Sequence, residues 1–201
     1  MKLVAEGLTL TRGGRPLVAD LAFTVDAGEA LVVTGRNGAG KTTLLRAVGG
    51  LYTPAGGSIR LESHSTARNI GEHCHYVGHL NAVKSGFTVA ENVRFWSRYL
   101  GGPASAMEPA LTTLGLAALR DIPAGDLSAG QKRRLGLARL LVAERPVWLL
   151  DEPTTSLDAA SQTILAEVIN AHLARGGMLL AATHLPLGLK DPRRLHLGAP
   201  Q

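Results

Sequence analysis

The stretch from residue 35 to residue 42 combines three glycines with a lysine and a threonine. It reads Gly-Arg-Asn-Gly-Ala-Gly-Lys-Thr, which matches the phosphate-loop pattern G-x-x-x-x-G-K-[ST] in full. Glycines let successive backbone N–H groups curl around a phosphate, and the following helix adds the positive end of its dipole. Lys41 can reach the β- and γ-phosphates of a nucleotide, and the hydroxyl of Thr42 can ligate Mg²⁺. The nucleotide-binding residues predicted here are Gly35, Arg36, Asn37, Gly38, Ala39, Gly40, Lys41, Thr42 and Thr43.

A second stretch, residues 147–152, is an apolar run that ends in two carboxylates. An Asp-Glu pair on its own would favour the charged first turn of a helix. Downstream of a phosphate loop, the run instead predicts a buried strand whose first carboxylate, Asp151, holds Mg²⁺. Glu152 lies one residue further, so its side chain points in another direction. It can orient and deprotonate an attacking water as a general base.

Composition and charge exclude several classes of protein. The 201 residues are 45% apolar and 18% charged, which suits one globular domain rather than a disordered chain. The net charge of +5 suits phosphate ligands, anionic lipid or nucleic acid without choosing between them. Aromatic residues make up only 4%, which argues against a protein that stacks single-stranded bases. A single cysteine, Cys74, excludes an internal disulfide, and no apolar run reaches the roughly 18 residues of a membrane span.

The elements around the two motifs predict an α/β domain that is interrupted by helices. Buried, nearly continuous apolar runs precede the phosphate loop and the carboxylate pair, and Val89, Val93, Trp96 and Leu100 share one helical face. We therefore expect a single domain over residues 1–201, with a helical subdomain inserted at about residues 79–145. Strands are expected over residues 3–10, 17–25, 29–34, 58–61, 73–77, 147–150 and 178–183, and helices over 41–48, 105–114, 128–143 and 158–174.

Between the two motifs lies Leu-Ser-Ala-Gly-Gln at residues 127–131, followed by three basic residues. On its own it would be a helix capped by Ser128. In this position it resembles the Leu-Ser-Gly-Gly-Gln signature of the ABC-type ATPases, with Ala129 as the departure. The resemblance implies a homodimer in which Ser128, Gly130 and Gln131 of one subunit cap the γ-phosphate of the ATP bound by the other.

Two further motifs of the ABC family follow in the expected order. Residues 155–158 match the D-loop at the dimer interface, and His184 matches the switch histidine that contacts the γ-phosphate. The resemblance covers about residues 3 to 190. It implies a P-loop NTPase fold of ABC type, with a mixed central sheet, an antiparallel β subdomain and a helical insert. It also implies hydrolysis of ATP with Mg²⁺, with Lys41, Glu152 and His184 as catalytic residues.

Two positions depart from the general ABC pattern. Arg12 takes the place of the aromatic residue that stacks on adenine; a guanidinium can also stack on a base, or Arg12 is simply an exposed turn residue. His79 takes the place of the Q-loop glutamine, so we assign it to the metal site and expect turnover to depend on pH through it. For His73, Cys74 and His75 we expect ordinary strand roles, because no second cluster completes a zinc site.

The short length and several segments are similar to the ATP-binding subunits of the bacterial cytochrome c maturation system. Those segments are residues 78–80, 127–134, 146–152 and 183–187. The resemblance implies separate polytopic membrane subunits as partners and a peripheral location at the cytoplasmic face of the bacterial inner membrane. It implies a role in haem export or in release of a haem-loaded chaperone, with haem or chaperone met only indirectly and no nucleic acid bound.

The helical insert is the expected dock for a membrane partner, through exposed apolar residues such as Phe87, Phe95 or Trp96. The alternative is that these residues fill the core of the insert. Other functions stay open: the ATPase subunit of another ABC transporter, or a soluble ABC ATPase that acts on DNA or ribosomes. Soluble members usually carry two cassettes or a long coiled coil, for which the stretch between Thr42 and Leu127 leaves no room. A P-loop kinase or GTPase would lack the signature.

Overall fold

The computed structural model describes residues 1–62 and 70–198, which fold into an α/β structure with two sheets. The α/β fold class expected from the sequence is confirmed. In chain order the strands are β1 Lys2–Arg12, β2 Arg15–Asp26, β3 Ala30–Gly35, β4 Gly56–Glu62, β5 Cys74–Val77, β6 Val147–Asp151, β7 Met178–Ala182 and β8 Arg193–Leu197. The helices are α1 Lys41–Val48, α2 Val89–Leu100, α3 Met107–Thr113, α4 Ala129–Leu137, α5 Arg139–Val142 and α6 Ala159–Ala174.

The five-stranded sheet is parallel and has the order β5-β6-β7-β3-β8. Every residue of β6 and β7 is buried, as expected for strands that are covered on both faces. Because the strands are parallel, their carboxyl ends meet at one edge of the sheet. The loop after β3, the carboxylates at the end of β6 and the turn after β7 are therefore brought side by side.

The three-stranded sheet is antiparallel and has the order β2-β1-β4. Strands β1 and β2 are joined by a two-residue turn at Gly13 and Gly14, whose φ angles of 57° and 77° are those that glycine adopts most readily. The end of β1 is held by Tyr52, whose hydroxyl donates to the carbonyl of Thr11 at 2.6 Å. This places Arg12 at the rim of the phosphate loop.

The helical insert has an apolar core of its own. Helices α2 to α5 and the short 3₁₀ turns between them bury Val89, Val93, Leu111, Leu116 and Leu135 against one another. Each of these five side chains is essentially inaccessible to solvent. The insert thus carries the start of α4 on a packed support, separate from the two cores that flank the parallel sheet.

Most of the expected elements are present, and three differences have physical causes. The helix expected over residues 128–143 is divided at Ala138, where the amides of Ala138 and Leu141 bond to carbonyls only three residues earlier. The helix expected from residue 105 begins as a 3₁₀ turn and becomes α-helical at Met107. Strand β8 is not predicted, because as a sheet-edge strand it is mostly polar and exposed. In the described residues, no helix has the length and apolar character needed to span a membrane.

Candidate nucleotide site

The phosphate loop connects β3 to α1 and is shaped by glycines at two close approaches. Gly35 has φ 141°, and a Cβ there would collide with the carbonyl oxygen of Leu197 on β8. Gly40 has φ 101°, and a Cβ there would lie 3.3 Å from the side chain of Leu17 on β2. Gly40 precedes α1 without a side-chain cap, so the first N–H groups of α1 keep their bonding capacity for a ligand.

Lys41 is buried at the base of this loop. Its Nζ donates to the carbonyl oxygens of Gly35 at 2.7 Å and Arg36 at 3.2 Å. The same Nζ lies 3.2 Å from Nε2 of His184, which follows β7. The ammonium is therefore held between the loop and the turn after β7, where a phosphate on the loop would be within its reach.

Thr42, in the first turn of α1, and Asp151, at the end of β6, are brought together at the carboxyl edge of the parallel sheet. The Thr42 hydroxyl donates to Oδ2 of Asp151 at 2.8 Å, and the Asp151 side chain is buried. A hydroxyl and a carboxylate are the hard oxygen ligands that Mg²⁺ accepts. The pair fits a magnesium site beside the phosphate loop.

Glu152 follows Asp151 at the end of β6, and its side chain lies near His184 in the turn after β7. Glu152 has φ 45°, a left-handed conformation, and its amide donates to the carbonyl of Ala182 at 2.8 Å. Its Oε1 lies 3.7 Å from Nε2 of His184. The turn that carries His184 is held by the Thr183 hydroxyl, which accepts from the amide of Leu185 at 3.0 Å. The three residues expected to be catalytic are thus neighbours.

Lys41, Thr42, Asp151 and Glu152 line one cleft with a volume of about 260 Å³; His184 contacts two of them but is not among the lining residues. Arg12, which is exposed at the end of β1, also lines the cleft. Stacking of Arg12 on a base stays a prediction. The lining residues are Arg12, Leu17, Asn37, Gly38, Gly40, Lys41, Thr42, Thr43, Asp151 and Glu152.

The signature residues do not line this cleft. Ser128 caps α4 in a reciprocal pair with Gln131: the Gln131 amide donates to Ser128 Oγ at 3.2 Å, and the Ser128 amide donates to Gln131 Oε1 at 2.8 Å. Ser128 and Ala129 are exposed. Gly130 packs on the D-loop, where an added Cβ would lie 2.9 Å from the carbonyl oxygen of Ser156. Within one chain, the cleft and the signature are separate surfaces.

His79 is exposed and is not among the lining residues of the cleft, so its assignment to the metal site stays a prediction. In the described part of the chain, no group of three or more His, Cys, Asp or Glu side chains is placed to hold a metal ion. His75 is buried and its Nε2 donates to the carbonyl of Ala143 at 2.8 Å; burial lowers the pKa of His75 to about 4. Burial raises the pKa of the Cys74 thiol to about 12. Both are structural side chains of β5.

One residue at the site was missed by the sequence analysis. Arg133 on α4 is only 3% exposed, and its guanidinium bonds to the turn that carries Asp151 and Glu152. In the sequence it is the middle one of three consecutive basic residues, a pattern typical of a solvated helix face. No local signal distinguishes it, because its partners are distant along the chain.

Comparisons with known proteins identify the family of the chain. A family model described as ABC transporter matches residues 18–155. A protein named cytochrome c biogenesis ATP-binding export protein CcmA, from Bradyrhizobium diazoefficiens, is 49% identical over 98% of this chain and 98% of its own length. A protein of the same name from Rhodopseudomonas palustris is 47% identical over 99% of both chains.

Solved structures share the fold. One described as the ATP-binding subunit of an ABC transporter has a TM-score of 0.81 and 25% identity, over 92% of this chain and 80% of that chain. A bacterial Atm1-family ABC exporter with ATP bound has a TM-score of 0.82 and 22% identity, over 97% of this chain and 36% of that chain. The chain therefore belongs to the ABC transporter family of ATP-binding proteins, as the order of its five motifs predicts.

Proposed function

We propose that this chain is the ATP-hydrolysing subunit of an export complex that serves cytochrome c biogenesis. The observation that carries the proposal is the convergence of Lys41, Thr42, Asp151 and Glu152 on one cleft, with His184 in contact with Lys41 and Glu152. Relatives that are 46–49% identical over nearly the whole chain, and are named for cytochrome c biogenesis export, support the choice of pathway.

In this mechanism the phosphate loop binds and orients the phosphates of ATP. Residues 35–43 offer backbone N–H groups and the positive end of α1, and Lys41 exchanges its carbonyl partners for phosphate oxygens. Thr42 and Asp151 would hold Mg²⁺, which neutralises phosphate charge when bound. The contact of 2.8 Å between these two side chains supports a single ion shared by both.

Glu152 accepts a proton from the attacking water, and His184 connects it to Lys41. Nε2 of His184 lies 3.2 Å from Lys41 Nζ and 3.7 Å from Glu152 Oε1. As an acceptor, this nitrogen bonds to the lysine, and when protonated it can donate to the glutamate or to a γ-phosphate oxygen. A single ring nitrogen thus links the two sides of the reacting phosphate.

Hydrolysis in this account needs two copies of the chain. Ser128 and Ala129 are exposed at the start of α4, and no signature residue reaches the cleft of its own chain. A second copy would bring its capped helix start, a further site for anions, against the γ-phosphate. The nucleotide would then be enclosed by the loop of one chain and the signature of the other.

The membrane partner would dock on the outer face of α2. A groove of about 470 Å³ is lined there by Phe87, Glu91, Arg94, Phe95, Arg98 and Tyr99. Tyr99 is 72% exposed and stacks on Phe95 at 6.0 Å. Trp96 instead turns into the insert, where the Arg139 guanidinium lies 4.8 Å over its ring. An exposed aromatic groove of this kind suits a helix from a polytopic subunit, and such a partner would hold the chain peripherally at the cytoplasmic face of the inner membrane.

The cargo we propose is haem, or a haem-loaded chaperone, handled by the membrane partner rather than by this chain. The decisive experiment is purification of the tagged chain from detergent-solubilised membranes. We expect a polytopic partner to be recovered, and Phe95→Glu to lose it. Leu51→Glu is the matched control, because Leu51 is also exposed but lies outside the groove. Recovery with ribosomes or DNA instead would overturn the transport function.

The enzymatic part is tested separately. The purified complex should hydrolyse ATP, and Glu152→Gln should lower the rate by about 100- to 10,000-fold while ATP is still bound. Equal rates for the wild type and Glu152→Gln would contradict the role of Glu152 as the base.

A further inference from the structure

Arg133 uses every donor of its guanidinium in bonds to two other parts of the chain. Nε donates to the carbonyl of Pro153 at 3.1 Å, and Nη2 donates to those of Asp151 at 3.2 Å and Glu152 at 2.8 Å. Nη1 donates to the carbonyl of Gly78 at 2.9 Å and to Oδ1 of Asn81 at 3.1 Å. These five bonds match the five N–H groups that arginine carries.

Three of the five acceptors are consecutive carbonyls around Glu152. Glu152 has φ 45°, a backbone conformation that residues other than glycine rarely adopt. It therefore needs support from its surroundings. Arg133 supplies that support from α4, because its planar group spans the carbonyls of residues 151–153 at once. The direction of the Glu152 carboxylate therefore depends on a side chain that does not reach the cleft.

The other two acceptors fix the guanidinium itself. Asn81 is held a second time by Arg139, whose Nη2 donates to its carbonyl at 3.0 Å. Gly136 on α4 lets Asn81 approach, since an added Cβ would lie 2.9 Å from the Asn81 carbonyl oxygen. Asn81 is thus fixed on the helical insert by two arginines. The Arg133 guanidinium lies between residues 78–81 and the turn at residues 151–153.

We propose that Arg133 is a positioning residue for hydrolysis: it holds the Glu152 turn in the left-handed conformation that aims the carboxylate at the attacking water. This inference rests on the proposed ATP hydrolysis. A lysine offers three donors from one point and a glutamine two, so neither can span both segments.

The test is a double-mutant cycle on the complex purified with its membrane partner. Arg133→Gln should lower kcat by about 10- to 100-fold, because a displaced catalytic group loses rate steeply with distance. KM for ATP should stay within about twofold, because the phosphate loop is unchanged. In a Glu152→Gln background the same substitution should have no further effect, since no carboxylate is left to position.

Arg134→Gln is the matched control. Arg134 on α4 is half-buried and also donates to backbone carbonyls, those of Leu114 and Gly115, but these lie within the insert. Arg134→Gln should keep the wild-type kcat. This result would show that the effect of Arg133→Gln comes from the position of Glu152 and not from a general loss of helix anchoring.

A wild-type kcat in Arg133→Gln, or an equal loss with and without Glu152, would overturn the inference. If Arg133→Gln fails to fold, as judged by thermal melting, Asn81→Ala replaces it and removes one of the five acceptors. It should lower kcat by a smaller factor, again only when Glu152 is present, and an unchanged kcat would overturn the inference. If the wild type itself does not hydrolyse ATP, it is the proposed function that fails.

Discussion

The phosphate-loop cleft and the start of α4 are both suited to a phosphate, yet they differ in how far one chain completes them. In the cleft, Lys41, Thr42 and Asp151 each bond to another part of the loop or sheet. At the start of α4, the side chains of Ser128 and Gln131 each accept a bond from the other residue's backbone N–H. The first site is assembled by the sheet, whereas the second is a capped helix end that faces outward.

The difference follows from what supports each site. Parallel strands bring residues that are more than a hundred positions apart to one edge, so the cleft is complete without a partner. The signature takes its shape from this local capping pair, and its Ser128 and Ala129 are exposed. A capped helix end that is exposed in this way gains a role when a second copy presents a phosphate to it.

The largest effect is expected from a change in the cleft. Lys41→Ala removes the charge that contacts the phosphates, so ATP hydrolysis should fall by about 100- to 1000-fold. The assay is phosphate release by the purified complex, and Lys190→Ala, an exposed lysine outside the cleft, is the control. Activity of Lys41→Ala within a few-fold of the wild type would refute the assignment of the cleft.

A smaller effect is expected at acid pH, where two buried histidines should lower the free energy of unfolding. His172 stacks on Trp148 of β6 at 3.9 Å, and burial lowers the pKa of His172 to about 4, as it does for His75 on β5. Both histidines therefore favour the neutral form in the folded protein. Their full contribution to the free energy of unfolding is present above pH 6.5. Between pH 6.5 and about 4, the free energy of unfolding should fall by up to about 1.4 kcal/mol per pH unit for each histidine.

Urea unfolding from pH 7 to pH 5 measures this dependence. His172→Phe keeps an aromatic ring on Trp148 and should reduce the slope against pH, whereas His196→Phe, at an exposed position on β8, should leave it unchanged. An identical slope for His172→Phe would show that the buried ring does not control acid stability.

The smallest effect separates a structural cap from a functional one. Thr88 on α2 and Ser128 on α4 form the same type of capping box, so replacing either with alanine should lower the free energy of unfolding by about 1 kcal/mol. Only Ser128→Ala should also lower ATP hydrolysis, because only its hydroxyl is offered to a second copy. Equal hydrolysis by both variants would make Ser128 a cap and nothing more.

Much of the cleft could be predicted from the sequence because its motifs are local. A glycine-rich loop after an apolar run, and two carboxylates after another, specify the ends of buried strands without knowledge of the sheet order. The capping of α4 by Ser128 could be predicted for the same reason. These features depend on neighbours within a few residues.

What could not be predicted depends on distant parts of the chain. The burial of Arg133 results from carbonyls at residues 78 and 151–153, which no periodicity in α4 reveals. Strand β8 pairs with β3 although it begins with two exposed arginines. This pairing depends on the sheet order, which the local sequence does not reveal. The exposed position of His79 likewise follows from how residues 78–81 pack on the insert.

In the proposed mechanism, ATP is held between two copies of this chain. This arrangement is tested most directly by the mass of Glu152→Gln in solution with Mg²⁺ and ATP, measured by light scattering, with Ser128→Arg added to the same chain as the control. We predict twice the mass of one chain for Glu152→Gln and a single-chain mass for the double variant. A single-chain mass for Glu152→Gln under ATP saturation would contradict the claim.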